Sequence, residues 1–111
     1  MNIFDLYLDK IIKIIKKSND DGILQLPEKL NGINVDIPPQ HFDCDISTNV
    51  AMVLSKPNNK SPNDIAKDII KIIKLDENID EVSIAKPGFI NIKFKLKFWN
   101  NFLKQVIFVR S

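Results

Sequence analysis

One segment near the C-terminal end carries side chains that could hold an unpaired nucleic-acid base. The stretch AKPGFINIKFKLKFW spans residues 85–99, and a strand there would point successive side chains to opposite faces. One face would be apolar and would carry Ile90, Ile92, Phe94 and Leu96. The other face would carry Phe89, Asn91, Lys93 and Lys95. The alternation therefore places a ring, an amide and two positive charges on the face that turns away from the core.

An exposed ring beside an amide suits recognition of an unpaired base in a folded RNA. Stacking on such a ring contributes roughly 1–3 kcal/mol per base. The amide of Asn91 can donate to and accept from a base edge, and neighbouring lysines attract phosphates. In the structural alternative, Phe89 packs under a neighbouring helix and Asn91 closes a turn. The pattern alone leaves both possibilities open.

The C-terminal part of the chain is basic. Residues 86–111 contain no Asp or Glu, and their cationic side chains are Lys86, Lys93, Lys95, Lys97, Lys104 and Arg110. The formal net charge of the whole chain is only +2, which is too small to identify a partner. A solvated basic face and a surface that contacts a polyanion both agree with this distribution.

A metal site or a catalytic site is hard to find in this sequence. The single histidine, His41, lies in HFDCD beside Asp43, Cys44 and Asp45. Four ligands packed within five residues would wrap too tightly for a tetrahedral zinc site. A His–Cys pair would need an orienting group that is not recognisable, and no phosphate-loop spacing occurs. We predict no metal, no cofactor and no catalytic residue, and we expect the aspartates to cap helices.

Length and composition fit one globular domain. With 111 residues, of which 44% are apolar and 27% charged, the chain can build one core, and we treat residues 1–111 as a single domain. The single cysteine excludes an intrachain disulfide and suits the reducing cytoplasm. No uncharged apolar run approaches the length of a membrane span, and the lysine-rich N-terminus is unlike a signal peptide. We therefore expect a cytoplasmic location and no membrane contact.

Apolar periodicity predicts four helices. From about Ile3 to Lys17, apolar residues recur at spacings of three and four, as in an amphipathic helix. In DISTNVAMVLSK, residues 45–56, we expect Asp45 or Ser47 to cap a largely buried helix. The next helix has a strong start signal in Ser61, Pro62 and Asp64. The last helix is indicated by apolar spacing in Phe98, Trp99, Phe102, Leu103 and Val106.

The remaining segments predict strands. ILQL (residues 23–26) and GINVDIPP (residues 32–39) resemble short extended pieces, the second ended by its two prolines. IDEVSIA and FINIKFKL predict two strands joined by a turn at Pro87-Gly88. The order α-β-β-α-α-β-β-α predicts an α+β fold, a two-layer sandwich in which helices cover one face of a small, mostly antiparallel sheet.

Three segments, in order and at suitable spacings, resemble one protein family. DISTNVAMVLSK, SPNDIAKDII and VSIAKPGFINIKF are similar to the N-terminal additional domain of bacterial arginyl-tRNA synthetases. The family pattern is matched by Thr48-Asn49-Val50-Ala51, by Pro62 with Ile65-Ala66, and by Pro87-Gly88-Phe89-Ile90-Asn91. The resemblance extends from the first helix to about Phe98. One departure is Cys44, which stands where the family usually has a glycine before the motif aspartate, Asp45.

The resemblance implies a function for the aromatic and the amide. In that family the two corresponding side chains meet a base of the D-loop, at the outer corner of the tRNA, which makes Phe89 and Asn91 the expected base-binding pair and tRNA(Arg) the expected partner. From charge and position, we expect Lys86, Lys93 and Lys95 to contact phosphates.

The resemblance also implies that this chain has no catalytic activity of its own. The nucleotide-binding signatures of class I synthetases do not occur in it, so ATP and L-arginine would bind only to the catalytic domain of the full-length enzyme. In an alternative interpretation, the chain is a structural or protein-interaction module that docks on the catalytic body through its apolar last helix and has little RNA affinity.

Overall fold

The computed structural model describes residues 2–38 and 43–110, with side chains described as far as Lys104. Its elements in chain order are α1 Ile3–Asp20, β1 Val35–Asp36, β2 Ile46–Thr48, α2 Val50–Asn58, α3 Pro62–Ile73, β3 Ile79–Ala85, β4 Phe89–Phe94 and α4 Leu96–Arg110. This order confirms the predicted α+β fold. Within the described ranges, no helix is long and apolar enough to cross a membrane.

The four strands form one antiparallel sheet in the order β1-β2-β4-β3. β4 is an inner strand that pairs with β2 on one side and with β3 on the other. Residues that face each other across the strands form rows, and one row consists of Val35, Thr48, Ile90 and Ile84. The neighbouring row consists of Asp36, Ser47, Asn91 and Ser83. Because successive side chains alternate, these two rows lie on opposite faces of the sheet.

One face of the sheet packs against the helices. Ile90 and Ile92 of β4 are fully buried, and Phe94 is 4% exposed. They belong to one apolar core whose helical members include Tyr7, Ile11, Ile15, Val50, Leu54, Ile65, Ile69 and Ile73. The predicted alternation is therefore confirmed as far as Phe94. The expectation that Leu96 joins the core is wrong: its side chain is 75% exposed, because α4 begins there and the period of two ends.

The second strand comes from a segment in which a helix was expected to begin. Ile46–Thr48 pairs with β4, so Asp45 and Ser47 do not cap α2, whose N-cap is Asn49. The carboxylate of Asp45 instead accepts a hydrogen bond from the backbone N–H of Phe94 at 2.7 Å. Pairing with a distant strand thus outweighed the local helix signal.

The first extended piece, residues 23–26, does not join the sheet. Its backbone pairs with a side chain instead: the Asn58 amide accepts from the N–H of Gln25 at 2.8 Å and donates to its carbonyl at 2.9 Å. The predicted second piece is confirmed only at Val35–Asp36. Pro38 is buried just beyond this edge strand, whereas Pro39 lies outside the described residues.

The predicted start of α3 is confirmed. Pro62 is the first helical residue, and the hydroxyl of Ser61 accepts a hydrogen bond from the N–H of Asp64 at 3.1 Å. Farther along this helix, Ile70 is buried and Ile72 is half-buried.

The turn between β3 and β4 is held close to the start of α3. Gly88 has φ +150°, and a Cβ atom added there would lie 2.5 Å from Cβ of Pro62. Only a glycine fits this approach, since ordinary nonbonded carbon contacts are about 3.5–4.0 Å. The turn is therefore fixed against α3 directly before the first residue of β4.

We expect Gly88→Ala to lower the free energy of unfolding by roughly 1–3 kcal/mol, because the new methyl group must push the turn away from Pro62. Chemical denaturation measures this change. Gly32→Ala is the matched control, since an added Cβ there meets nothing within 4 Å. Equal stability of the two variants would show that the turn is free to move.

Candidate nucleic-acid interface

The candidate residues lie on the sheet face opposite the helices. We call it the open face and define it by Asp36, Ser47, Ser83, Phe89, Asn91 and Lys93. Phe89 pairs with Ala85 at the hairpin end, Asn91 pairs with both serines, and Lys93 pairs with Glu81.

Phe89 is accessible on the open face. Its side chain is 36% exposed, and it is the only aromatic among the exposed large apolar side chains of residues 2–38 and 43–104. This exposure weighs against the structural alternative, in which the ring packs under a neighbouring helix. An accessible ring on an inner strand is the kind of surface on which a base can stack.

Asn91 lies on the same face but is almost inaccessible. Its side chain is 3% exposed, and within the described part of the chain neither its Oδ1 nor its Nδ2 has a hydrogen-bond partner. It lies in mid-strand and closes no turn. The expectation of a fully wet amide is wrong, because Asn91 is short, lies at the centre of four strands and is flanked by the longer Phe89 and Lys93. A buried amide without hydrogen-bond partners lowers the free energy of unfolding by about 1–3 kcal/mol.

Two cavities meet at Asn91. The first, which we call the Phe89 cavity, has a volume of about 280 Å³ and is lined by Asn34, Asp36, Ile37, Ser47, Ala85, Lys86, Phe89 and Asn91. The second, the Lys93 cavity, has a volume of about 510 Å³ and is lined by Asp43, Cys44, Lys74, Ile79, Asp80, Glu81, Val82, Ser83, Asn91 and Lys93. The Phe89 cavity contains one acidic and one basic residue, so it is neutral overall, whereas acids outnumber lysines in the Lys93 cavity.

The three candidate lysines are in different settings. Lys86 is exposed in the hairpin turn and lines the Phe89 cavity. Lys93 forms an ion pair with Asp43 at 3.0 Å, and its hydrogen bond to that carboxylate raises the pKa of Lys93 above its usual value. Lys95 is exposed between β4 and α4 and lines neither cavity. The structure thus brings Phe89, Asn91 and Lys86 together around one cavity. Lys93 is instead paired with the Asp43 carboxylate, and Lys95 lies beyond the end of β4.

The side chain of Asn49 positions the edge of the open face. Its Oδ1 accepts from the backbone N–H of Asn34 at 2.9 Å, and its Nδ2 donates to the carbonyl of Gly32 at 2.9 Å. These bonds fix the segment that leads into β1. The asparagine of the Thr-Asn-Val-Ala motif therefore holds one wall of the Phe89 cavity in place.

The HFDCD segment has few features of a reactive site. Burial, together with nearby Asp45 and Asp43, raises the pKa of the Cys44 thiol, which disfavours the reactive thiolate. The described residues include no group of three metal-ligating side chains, and His41 lies outside them.

Sequence reasoning missed four residues in or next to β1 and β2 that line the Phe89 cavity, namely Asn34, Asp36, Ile37 and Ser47. Only their pairing across the sheet brings them near Phe89. The alternation in IST was a weak signal for β2, and the isoleucine before Pro38 was a weak signal for an edge strand.

Comparison with known proteins gives the family. The family model for the arginyl tRNA synthetase N terminal domain matches residues 6–94. This chain belongs to that family. The arginine–tRNA ligase of Pelagibacter ubique is 71% identical over 107 residues, which is 96% of this chain and 18% of the ligase. The arginine–tRNA ligase of Bartonella bacilliformis is 39% identical over 107 residues, which is again 96% of this chain and 18% of the ligase.

The fold agrees with the solved structure of Thermus thermophilus arginyl-tRNA synthetase. The match has a TM-score of 0.64 at 18% identity and covers 87% of this chain and 15% of the synthetase. The chain thus spans less than a fifth of the length of its relatives. These 111 residues correspond to the N-terminal domain of such a ligase and not to its catalytic domain.

Within this synthetase domain, Asn91→Leu tests whether the amide is unsatisfied in the free protein. We expect the free energy of unfolding to rise by about 1 kcal/mol, since leucine removes two unpaired polar atoms and has room in the adjoining cavities. Ser83→Ala, an exposed neighbour in the same row, should change it by less than about 0.5 kcal/mol. Destabilisation by Asn91→Leu in a denaturation experiment would show that the amide already has partners.

Proposed function

We propose that this N-terminal domain binds tRNA(Arg) at the D-loop, and that Phe89 and Asn91 contact one unpaired base there. The observation that carries the proposal is the unsatisfied, buried amide of Asn91 beside an accessible ring on the same strand face. A base would stack on the ring and supply the donor and acceptor that the amide lacks.

The support for these two side chains is rigid. β4 is paired along both edges, and its other face is buried in the core through Ile90 and Ile92. A fixed backbone lowers the ordering cost of binding, because the two groups are held in position before the RNA arrives.

Contact with the amide requires a small rearrangement in the Phe89 cavity. The amide atoms are buried, so a base edge reaches them only when a neighbouring side chain turns aside. Side chains that line the Phe89 cavity together with Asn91 turn aside, while the backbone of β4 stays in place. Rotamer changes of this kind are common at interfaces whose backbone does not move.

Charge and stacking make separate contributions to the proposed binding. Lys86 and Lys95 are exposed and available to phosphates. The charge of Lys93 is partly neutralised by its ion pair with Asp43. The Phe89 cavity is itself neutral overall, so the lysines at its margin hold the RNA backbone and the ring and amide hold the base.

The domain would bind the tRNA, and the catalytic domain of the synthetase would carry out the reaction. In this proposal residues 1–111 act as one unit that needs no cofactor, while ATP and L-arginine would bind to the catalytic domain of the full-length enzyme. Because tRNA charging takes place in the cytoplasm, the domain would work there.

Exposed leucines on α4 support a second candidate function. Leu96 is 75% exposed and Leu103 is 53% exposed on this helix. A helix with such a surface could dock on the catalytic body, and the domain would then be a structural module with little RNA affinity.

Phe89→Ala separates the two candidate functions. We expect this variant of the 111-residue chain to bind an in vitro transcribed tRNA(Arg) about 5- to 100-fold more weakly, since the stacking energy is lost. Its stability should change little, because the ring is partly exposed. Leu75→Ala, another exposed apolar side chain at 82% exposure, is the control in the same titration. Equal affinity of Phe89→Ala and the unaltered chain would favour the docking module.

The lysines are tested by the salt dependence of the same binding. We expect Lys86→Ala and Lys95→Ala each to reduce the slope of log K against log salt by about 0.7–0.9, the value for one lost phosphate contact. Lys93→Ala should reduce it less because of its ion pair. Lys13→Ala, on the exposed side of α1, should leave the slope unchanged. Equal slopes for all four variants would exclude specific phosphate contacts.

A further inference from the structure

We propose that the free edge of β3, together with the flank of α3 beside it, is a docking site for an extended acidic peptide of another protein. The peptide would pair with β3 and extend the sheet by one strand, which is a common mode of peptide recognition. Neither Phe89 nor Asn91 lines this site, so the inference does not depend on the proposed function.

A groove of about 750 Å³ lies between α3 and β3, and we call it the edge groove. Its apolar lining comes from Ile70 of α3 and from Val82 and Ile84 of β3. Ile92 and Ile90, which pair with these two β3 residues, are fully buried, whereas Val82 and Ile84 are only half-buried. The helices therefore do not fully cover the sheet at this edge, and apolar surface stays accessible in the groove.

The backbone of β3 is free to pair on its outer side. β3 is the last strand in the sheet order, so in the described part of the chain no strand lies beyond it. Among these residues, no backbone hydrogen bond outside the helices and strand ladders involves Val82, Ser83 or Ile84. An edge strand of this kind presents N–H and C=O groups that can pair with another chain.

Only the first half of β3 is protected against such pairing. Proteins commonly block an edge strand with a bulge or with charged side chains. Here the register shift lies between Ile79 and Glu81, and the two acids of the strand are Asp80 and Glu81. From Val82 to Ala85 the strand is uncharged and pairs regularly with β4. At roughly 3.3 Å per residue, this half accommodates an incoming strand of about four residues.

The charge of the edge groove selects the kind of peptide. The charged residues that line it are four lysines and two aspartates, namely Lys60, Lys67, Lys71, Lys74, Asp64 and Asp68. Lys60 pairs with Asp68 at 3.6 Å, and within the described ranges the other three lysines form no ion pair. A peptide that pairs with the second half of β3 would therefore meet an excess of positive charge, which favours acidic side chains.

Two other occupants fit these features less well. Pairing of β3 with β3 of a second copy would bring two lysine-lined flanks together, and like charges would oppose it. An RNA strand would use the lysines but neither the apolar lining nor the unpaired backbone. An acidic peptide with some apolar side chains uses all three.

The test is an NMR titration of the isotope-labelled chain with the blocked synthetic peptide Val-Thr-Glu-Thr-Val-Thr-Glu, whose valines and threonines favour strands. Alternate amides between Val82 and Ala85 should exchange with solvent more slowly in the complex, because they gain acceptors. The control peptide with lysine in place of glutamate should bind about 10-fold more weakly. A third peptide, N-methylated at alternate positions, keeps the side chains but loses backbone donors, and it should not bind.

A substitution in the groove tests the role of charge. Lys71 is exposed, so Lys71→Glu should preserve the circular dichroism spectrum. It should weaken binding of the glutamate peptide by about 3- to 10-fold. Lys13→Glu, on the exposed side of α1, should leave binding unchanged.

Four results would overturn the proposal. The first is no change in the β3 amides at millimolar glutamate peptide, and the second is equal binding of the N-methylated peptide, which would mean attraction without strand pairing. Protection of the β3 amides that rises with the concentration of the chain alone would assign the edge to a second copy. Displacement of the peptide by in vitro transcribed tRNA(Arg), lost in Lys71→Glu, would make the groove an RNA surface. None of these results depends on the outcome for Phe89→Ala.

Discussion

The pairing of β4 on both edges is the constraint on which the other features depend. Ile90, Ile92 and Phe94 are all but completely buried against the helices. Because strand side chains alternate with a period of two, burial of these residues places Phe89, Asn91 and Lys93 on the opposite face. A shift of one residue in register would exchange the two sets and put a lysine and an amide into the core. The stability of the fold and the position of the candidate site are therefore set by the same pairing.

Asn91 is where the structure departs from the usual rules of polar burial. Other buried polar groups are used for local structure, as in the bond from the N–H of Val50 to the hydroxyl of Thr48 at 3.2 Å. Asn91 has no such partner among the described residues, although it lies at the centre of the sheet. Local conflicts of this kind in an otherwise consistent structure are typical of functional sites. The apolar packing of Ile90 and Ile92 on the other face of β4 offsets the free-energy cost of the unsatisfied amide.

The parts of the fold that follow from neighbouring residues were predictable from the sequence. The β3–β4 hairpin was encoded by alternation around Pro87-Gly88, and the start of α3 by Ser61 and Pro62. The short strand β2 was not, because its three residues precede an apolar helix and become a strand only by pairing with β4.

The candidate site was predictable only in part, for the same reason. Alternation placed Phe89 and Asn91 on the correct face. The burial of Asn91 depends on its neighbours across the sheet, and the ion pair of Lys93 joins it to Asp43, which lies 50 positions earlier. Contacts between segments that are distant in sequence leave no local pattern to read.

The most direct test of the central claim is the NMR signal of the Asn91 side-chain amide during addition of tRNA(Arg). In the free chain its two N–H protons lack acceptors, so a base edge should move the Nδ2 resonances downfield and slow their exchange with solvent. The account predicts this change at low salt and its persistence at moderate salt, since the contact is not ionic. An unchanged amide signal at saturating tRNA, with shifts confined to the lysines, would contradict it.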